Sequence, residues 1–147
     1  TLEHFNEHLR ARFWSPSDEK QLTTMIYEFL AVGERRGGSL VASPRNIDTL
    51  LKMGFDGALR GDPCLVAEDI YNARIVSYIE WTTPVNVPFD VKYKTLHTWG
   101  AFTFNSWRSV GVATKLRKLA MKVAKDRGYE CLTGPVHMTN ERGMRYF

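Results

Sequence analysis

The run Arg108-Ser109-Val110-Gly111-Val112-Ala113 concentrates more usable chemistry than any other short stretch of the chain. It follows a segment rich in β-branched and aromatic residues, Tyr93 to Phe104, which reads as a strand. It opens the clearest amphipathic helix, Val110 to Gly128. A loop that leaves a strand and starts a helix points several unpaired backbone N–H groups one way. The helix dipole adds partial positive charge there, so such a pocket suits phosphate. Gly111 and Ala113 are small enough to let a pyrophosphate reach the backbone, and Arg108 can add a cation beside it. The same letters also fit an ordinary turn ahead of a packed helix, so the setting carries the reading.

Two further residues could move protons. Strict alternation places His97 on one strand face with Trp99, Ala101 and Thr103. Imidazole titrates near neutral pH, which suits a general base, although a strand histidine can simply satisfy a hydrogen bond. Glu80 lies on the strand Arg74 to Trp81 and fits a base, an anchor for a substrate amine, or a solvent-facing polar residue. Alternation sets Ile75, Ser77, Ile79 and Trp81 against Val76, Tyr78 and Glu80. Cys64 and Cys131 lack metal-ligand neighbours and are expected to be two buried free thiols, with no metal site.

The elements that must position these groups follow in a regular order. Leu9 to Trp14 alternates as a first strand, and Ser17 or Asp18 can cap the helix that follows, to about Val32. Gly33 and Gly37-Gly38 are expected to break that helix. Ser43-Pro44 opens a second helix carrying Ile47, Leu50, Leu51 and Phe55, its end obscured by Gly54 and Gly57. Cys64 to Glu68 and Arg74 to Trp81 make two strands around a turn at Asn72, and Thr82 to Val91 a loop. The helix from Val110 presents Val112, Leu116, Leu119, Ala120, Val123 and Ala124 as its buried stripe. Cys131 to Val136 is a further strand, and Asn140 starts a last helical segment.

The whole reads as one α/β (α+β) domain over residues 1–147, ample for a hydrophobic core. Apolar residues make up 44% and charged residues 24%, which excludes wholesale disorder. No apolar run approaches the roughly 20 residues that span a bilayer. Thr1 to Arg12 is polar, without the apolar centre of a signal peptide, so a cytoplasmic protein with no membrane partner is expected. The net charge of +4 favours an anionic partner without choosing one.

Here the chain resembles the GNAT superfamily of N-acetyltransferases, whose signature R/Q-x-x-G-x-G/A stands between a strand and a helix, as Arg108 to Ala113 does. Trp107 fills the aromatic place before the arginine, Thr114 and Leu116 continue the helix, and Gly128-Tyr129 closes it. The order of strands and helices upstream also fits. The resemblance implies a mixed, mostly antiparallel sheet flanked by helices, here without the family's last two strands. It implies acetyl-coenzyme A as co-substrate. The backbone of Arg108, Ser109, Val110, Gly111, Val112, Ala113 and Thr114 would hold its pyrophosphate, and Phe102, Thr103 and Phe104 would pair with its pantetheine arm. Asn140 would lie near the thiol, and Lys115 or Arg117 could meet the outer phosphate.

Acetyl transfer to an amine needs a base, a polarised carbonyl and a proton for the leaving thiolate. The family often has a tyrosine seven residues after the asparagine; that place is Phe147, with Tyr146 one earlier as candidate acid. Some relatives carry a catalytic carboxylate near the position of His97. An edge left after the last strand would invite a homodimer. The expected function is N-acetylation of an unidentified amine-bearing acceptor, against a regulatory protein that binds acetyl-CoA without turnover. The row Lys115, Arg117, Lys118, Lys122, Lys125 and Arg127 raises nucleic acid as a third partner, but a solvated face explains it better.

Overall fold

The computed structural model describes residues 1–35, 44–83, 94–104, 107 and 111–133. Nine elements follow in chain order: β1 (Glu3–His4), β2 (Leu9–Phe13), α1 (Glu19–Arg35), α2 (Pro44–Arg60), β3 (Cys64–Asp69), β4 (Arg74–Thr82), β5 (Thr95–Thr103), α3 (Val112–Asp126) and β6 (Cys131–Thr133). The strands form one sheet in sequential order. Every neighbouring pair is antiparallel except β5 and β6, which run parallel because α3 carries the chain back across the sheet.

Each sheet face is covered by helices whose apolar stripe it buries. α3 sets Val112, Leu116, Leu119, Ala120 and Ala124 against Leu9, Ala11, Leu65, Ala67, Val76, Ile79, Trp81 and Leu96. That stripe was expected from helical spacing, and only Val123 is less deeply buried than the pattern implied. On the other face, Leu22, Met25 and Ile26 of α1 and Ile47 and Leu51 of α2 meet Trp14, Cys64, Val66, Ile75 and Tyr78. Burying each such aliphatic side chain contributes about 1.5–3 kcal/mol, so these two clusters hold the layers together.

Two bulges set the faces of the central strands. The β3–β4 register skips Val76, and the β4–β5 register skips Trp99. Strict alternation therefore fails on both strands. Ile75 and Tyr78 share the α1/α2 face, while Val76, Ile79 and Trp81 share the α3 face. On β5, the His97 and Trp99 rings touch with centroids 4.4 Å apart and planes tilted by 60°. Phe102, not Ala101, belongs with the α1/α2 cluster, whereas Ala101 packs on the α3 side.

Other expectations also shift. Gly33 does not end α1, which continues to Arg35. α2 passes through Gly54 and Gly57 to Arg60 because both glycines are places of close approach. A Cβ on Gly54 would fall within the Trp14 ring, 2.6 Å from Cη2, and one on Gly57 would sit 2.8 Å from the Thr82 methyl. The first strand pairs with a short β1 that the polar start of the chain gave no hint of. Asp18 lies in a short 3-10 turn, Pro16–Asp18, where its carboxylate accepts from the Ser15 N–H at 2.8 Å. It also takes a two-pronged hydrogen bond from Arg12 at 2.7 and 2.8 Å. Cys64 is buried as expected, but Cys131 is exposed because β6 sits at the end of the described sheet.

Candidate functional site

α3 begins at Val112, two residues later than the Val110 start read from the sequence. Gly111 caps the helix in the left-handed conformation, φ 77 and ψ 12, which an L side chain rarely adopts. Its carbonyl accepts the first helical bond, from the Lys115 N–H at 3.0 Å. The amides of Val112, Ala113 and Thr114 precede that bond and have no acceptor among the described residues. Val112 is buried in the α3 cluster and pins the turn, while Gly111, Ala113 and Thr114 face outward. No described atom lies within 4 Å of where a Gly111 Cβ would be. Among the described residues the result is a set of N–H donors at the positive end of a helix dipole, which suits an anionic group. Trp107 buttresses its approach, donating its N–H to the Phe104 carbonyl at 2.9 Å and packing on the α3 cluster.

The remaining family positions divide. Phe102, Thr103 and Phe104 end β5 directly ahead of that turn, with Thr103 Oγ1 2.8 Å from Ser77 Oγ. Arg108, Ser109, Val110, Asn140 and Tyr146 lie outside the described residues. Lys115 points toward the β1–β2 turn, its Nζ 3.5 Å from the Phe5 carbonyl, and Arg117 reaches Met121 Sδ at 3.6 Å.

His97 stands at the end of the described β5–β6 ladder, which runs from Thr95–Cys131 to His97–Thr133. Its Nδ1 is 2.9 Å from Thr133 Oγ1, and Thr98 Oγ1 donates to the Thr133 carbonyl at 3.2 Å. Trp99, pushed out by the bulge, donates its indole N–H to Thr82 Oγ1 while its ring touches that of His97. Burial lowers the His97 pKa below 6.5, so the ring is neutral at physiological pH.

Glu80 is not solvent-facing, which removes one of its three sequence readings. It is 1% exposed, and its Oε1 has no hydrogen-bond partner among the described residues. It pairs across β4 with Cys64 and Gly100, and a Cβ on Gly100 would touch Phe29 and the Tyr78 hydroxyl at 3.3 Å. Burial raises its pKa well above 4.5, and the Tyr78 phenol is likewise pushed up by burial and by Glu80. A carboxyl so placed favours its neutral form.

Asp62 escaped sequence reading altogether. Fully buried, it accepts from Arg60 at 3.0 Å, from the Tyr129 hydroxyl at 2.9 Å and from Thr83 at 3.4 Å. It thus ties the end of α2 to the end of β4 and the turn after α3, a structural role. A second network joins Arg10 and Arg12 to Glu68 at 2.7 and 3.1 Å. Partial burial pushes the Glu68 carboxyl up, yet the hydrogen bonds and charge of Arg12 and Arg10 prevail and hold it low. Among the described residues no cluster of His, Cys, Asp and Glu could hold a metal ion, and no helix is long and apolar enough to cross a membrane.

No family model and no curated protein matches the sequence. Many solved structures do match the fold. An acetyltransferase of the GNAT family from Staphylococcus aureus superposes with a TM-score of 0.69 at 9% identity, covering 94% of this chain and 80% of that one. The structure of yncA from Salmonella typhimurium, with its cofactor acetyl-CoA, gives 0.72 at 19% identity over 95% and 76%. Aminoglycoside N-acetyltransferase AAC(6')-Iy in complex with CoA gives 0.66 at 14% identity over 94% and 83%. The chain has the GNAT acetyltransferase fold.

Proposed function

We propose that the chain is an acetyl-CoA-dependent N-acetyltransferase, one domain over residues 1–147, acting on an amine whose identity is open. The observation that carries this reading is the start of α3, left-handed Gly111 followed by the amides of Val112, Ala113 and Thr114, on the helix that follows β5 in a GNAT-fold sheet. Those amides are the right donors for a pyrophosphate, and Gly111 leaves room for it. Phe102 to Phe104, leading into the turn, would meet the pantetheine arm. The reaction forms a C–N bond between amine and acetyl carbon and breaks the C–S bond, with coenzyme A leaving. Neutral His97 takes the amine proton. Burial raises the Glu80 carboxyl well above 4.5 and so favours its neutral form, which suits a hydrogen-bonding role better than that of a base.

The test is calorimetry with acetyl-CoA followed by thiol release against a panel of amines. Binding with amine-dependent release is the expected result. Binding without release for any amine would favour a regulatory acetyl-CoA-binding protein, and no binding would overturn the reading.

A further inference from the structure

The positive charge of the chain is gathered in one element. Twenty lysines and arginines against sixteen aspartates and glutamates leave a net +4. Helix α3, Val112–Asp126, holds Lys115, Arg117, Lys118, Lys122 and Lys125 against Asp126 alone. It therefore carries +4 by itself, and the rest of the chain sums to zero. The fold then aims that charge. With Val112, Leu116, Leu119, Ala120 and Ala124 buried, Lys115, Lys118, Lys122 and Lys125 stand exposed in one row on the outward side, at the three- and four-residue spacing of a helix face. The row is about 15 Å long at about 1.5 Å per residue. Among the described residues none of the four lysines forms an ion pair.

Solvation alone, the reading that sequence favours, does not account for this row. A face kept for solubility interleaves both signs. Here each neighbouring pair of lysines repels, and Lys115 lies near the positive end of the helix dipole with no acid in the first turn. We propose that the row is a docking surface for a nucleic-acid duplex, held through its phosphates without reading sequence. A duplex carries one negative charge per about 1.7 Å of axis, and a straight row of four ammonium groups complements that linear polyanion. Two details choose this occupant. α3 has no aromatic residue on which an unpaired base could stack, which disfavours a single strand. Its apolar side is buried in the core, and Met121 is its one exposed large hydrophobic residue, so a membrane surface would find little to bury. The proposal goes beyond acetyl transfer and stands whether or not the chain turns over acetyl-CoA.

The test is fluorescence anisotropy of labelled DNA and RNA duplexes of one sequence, titrated with the full chain at about 50 to 200 mM salt. Four phosphate contacts give log K against log salt a slope of about −3.6, so affinity for DNA should fall about 150-fold across that range. Phosphate contact predicts comparable affinity for the two duplexes. Lys118→Gln, Lys122→Gln and Lys125→Gln should each reduce the slope by about one, and the triple variant should retain a slope of about −0.9. Lys122→Arg, which keeps the charge, should keep the wild-type slope. The glutamine variants relieve repulsion along an exposed face, so their circular dichroism and urea midpoints should match wild type, which separates lost binding from lost folding. No anisotropy change at the lowest salt, binding confined to one duplex, or a folded triple variant with the wild-type slope would each refute the docking surface. So would a chain that sediments with phosphatidylserine vesicles yet leaves both duplexes free.

Discussion

Placing a carboxylate at position 111 asks directly whether the α3 cradle holds phosphate. Gly111→Glu and Gly111→Gln share the same cost to the fold, because any side chain at φ 77 pays about 1–2 kcal/mol for the left-handed conformation. Neither meets a described atom within 4 Å of its Cβ, so no clash is added. The two variants differ only in charge. A carboxylate about 5 Å from a phosphate charge repels it by about 0.8 kcal/mol in a water-like dielectric, the appropriate limit for this exposed turn. Two phosphate charges give about 1.6 kcal/mol, or roughly fifteenfold in affinity. Calorimetry should therefore show acetyl-CoA binding to Gly111→Glu some fifteenfold weaker than to Gly111→Gln at low salt. The gap should close at 1 M salt, where the screening length falls to about 3 Å. Equal affinities for the two variants at low salt, with both folded, would refute the placement of pyrophosphate at this turn.

Three further perturbations follow from the same geometry. His97→Gln should lower kcat for acetyl transfer about 100-fold with acetyl-CoA affinity unchanged, and the acid limb of the wild-type rate profile should have its midpoint below pH 6.5, because burial lowers the imidazole pKa and only the neutral ring is a base. Glu80→Gln should remove a pH-dependent loss of stability: a carboxyl raised by burial contributes fully below its unfolded value of about 4.5, and that contribution fades as pH climbs through the folded value. Urea titrations should thus find wild type and Glu80→Gln alike near pH 4, with wild type the weaker at pH 8. Gly54→Ala should cost about 3 kcal/mol in urea unfolding, because its Cβ would occupy the space of the Trp14 ring between α2 and β3.

Much of the fold was legible because helical spacing reports burial one residue at a time. Val112, Leu116, Leu119 and Ala120 of α3, and Leu22, Met25 and Ile26 of α1, fall where their spacing puts them. The turn at Gly111 was legible too, since a glycine between a strand and a helix marks a backbone conformation that other residues rarely adopt. What failed was alternation along β4 and β5. A bulge at Val76 and another at Trp99 add a residue to one strand of a pair, and no composition signal marks either. Asp62, a turn residue before Pro63, and Thr133, inside a three-residue strand, were hidden for a related reason. Their importance comes from partners 67 and 36 residues away, which local patterns do not encode.

The Trp99 bulge is also what makes the candidate site workable. Were Trp99 paired with β4 like its neighbours, every side chain on one side of it would lie on the opposite face. As built, Trp99 leans on His97 while Gly100 lies beneath Phe29 and Tyr78, and Phe102 stays with the α1/α2 core. The strand thus carries a neutral imidazole, its aromatic neighbour and the approach to the α3 cradle in nine residues, Thr95 to Thr103. Deleting Trp99 would leave every other β4–β5 pair in register, so His97 and Phe102 would keep their faces while His97 lost its ring neighbour. The bulge therefore adds a ring contact and a Thr82 hydrogen bond beside His97 without moving Phe102 out of the core.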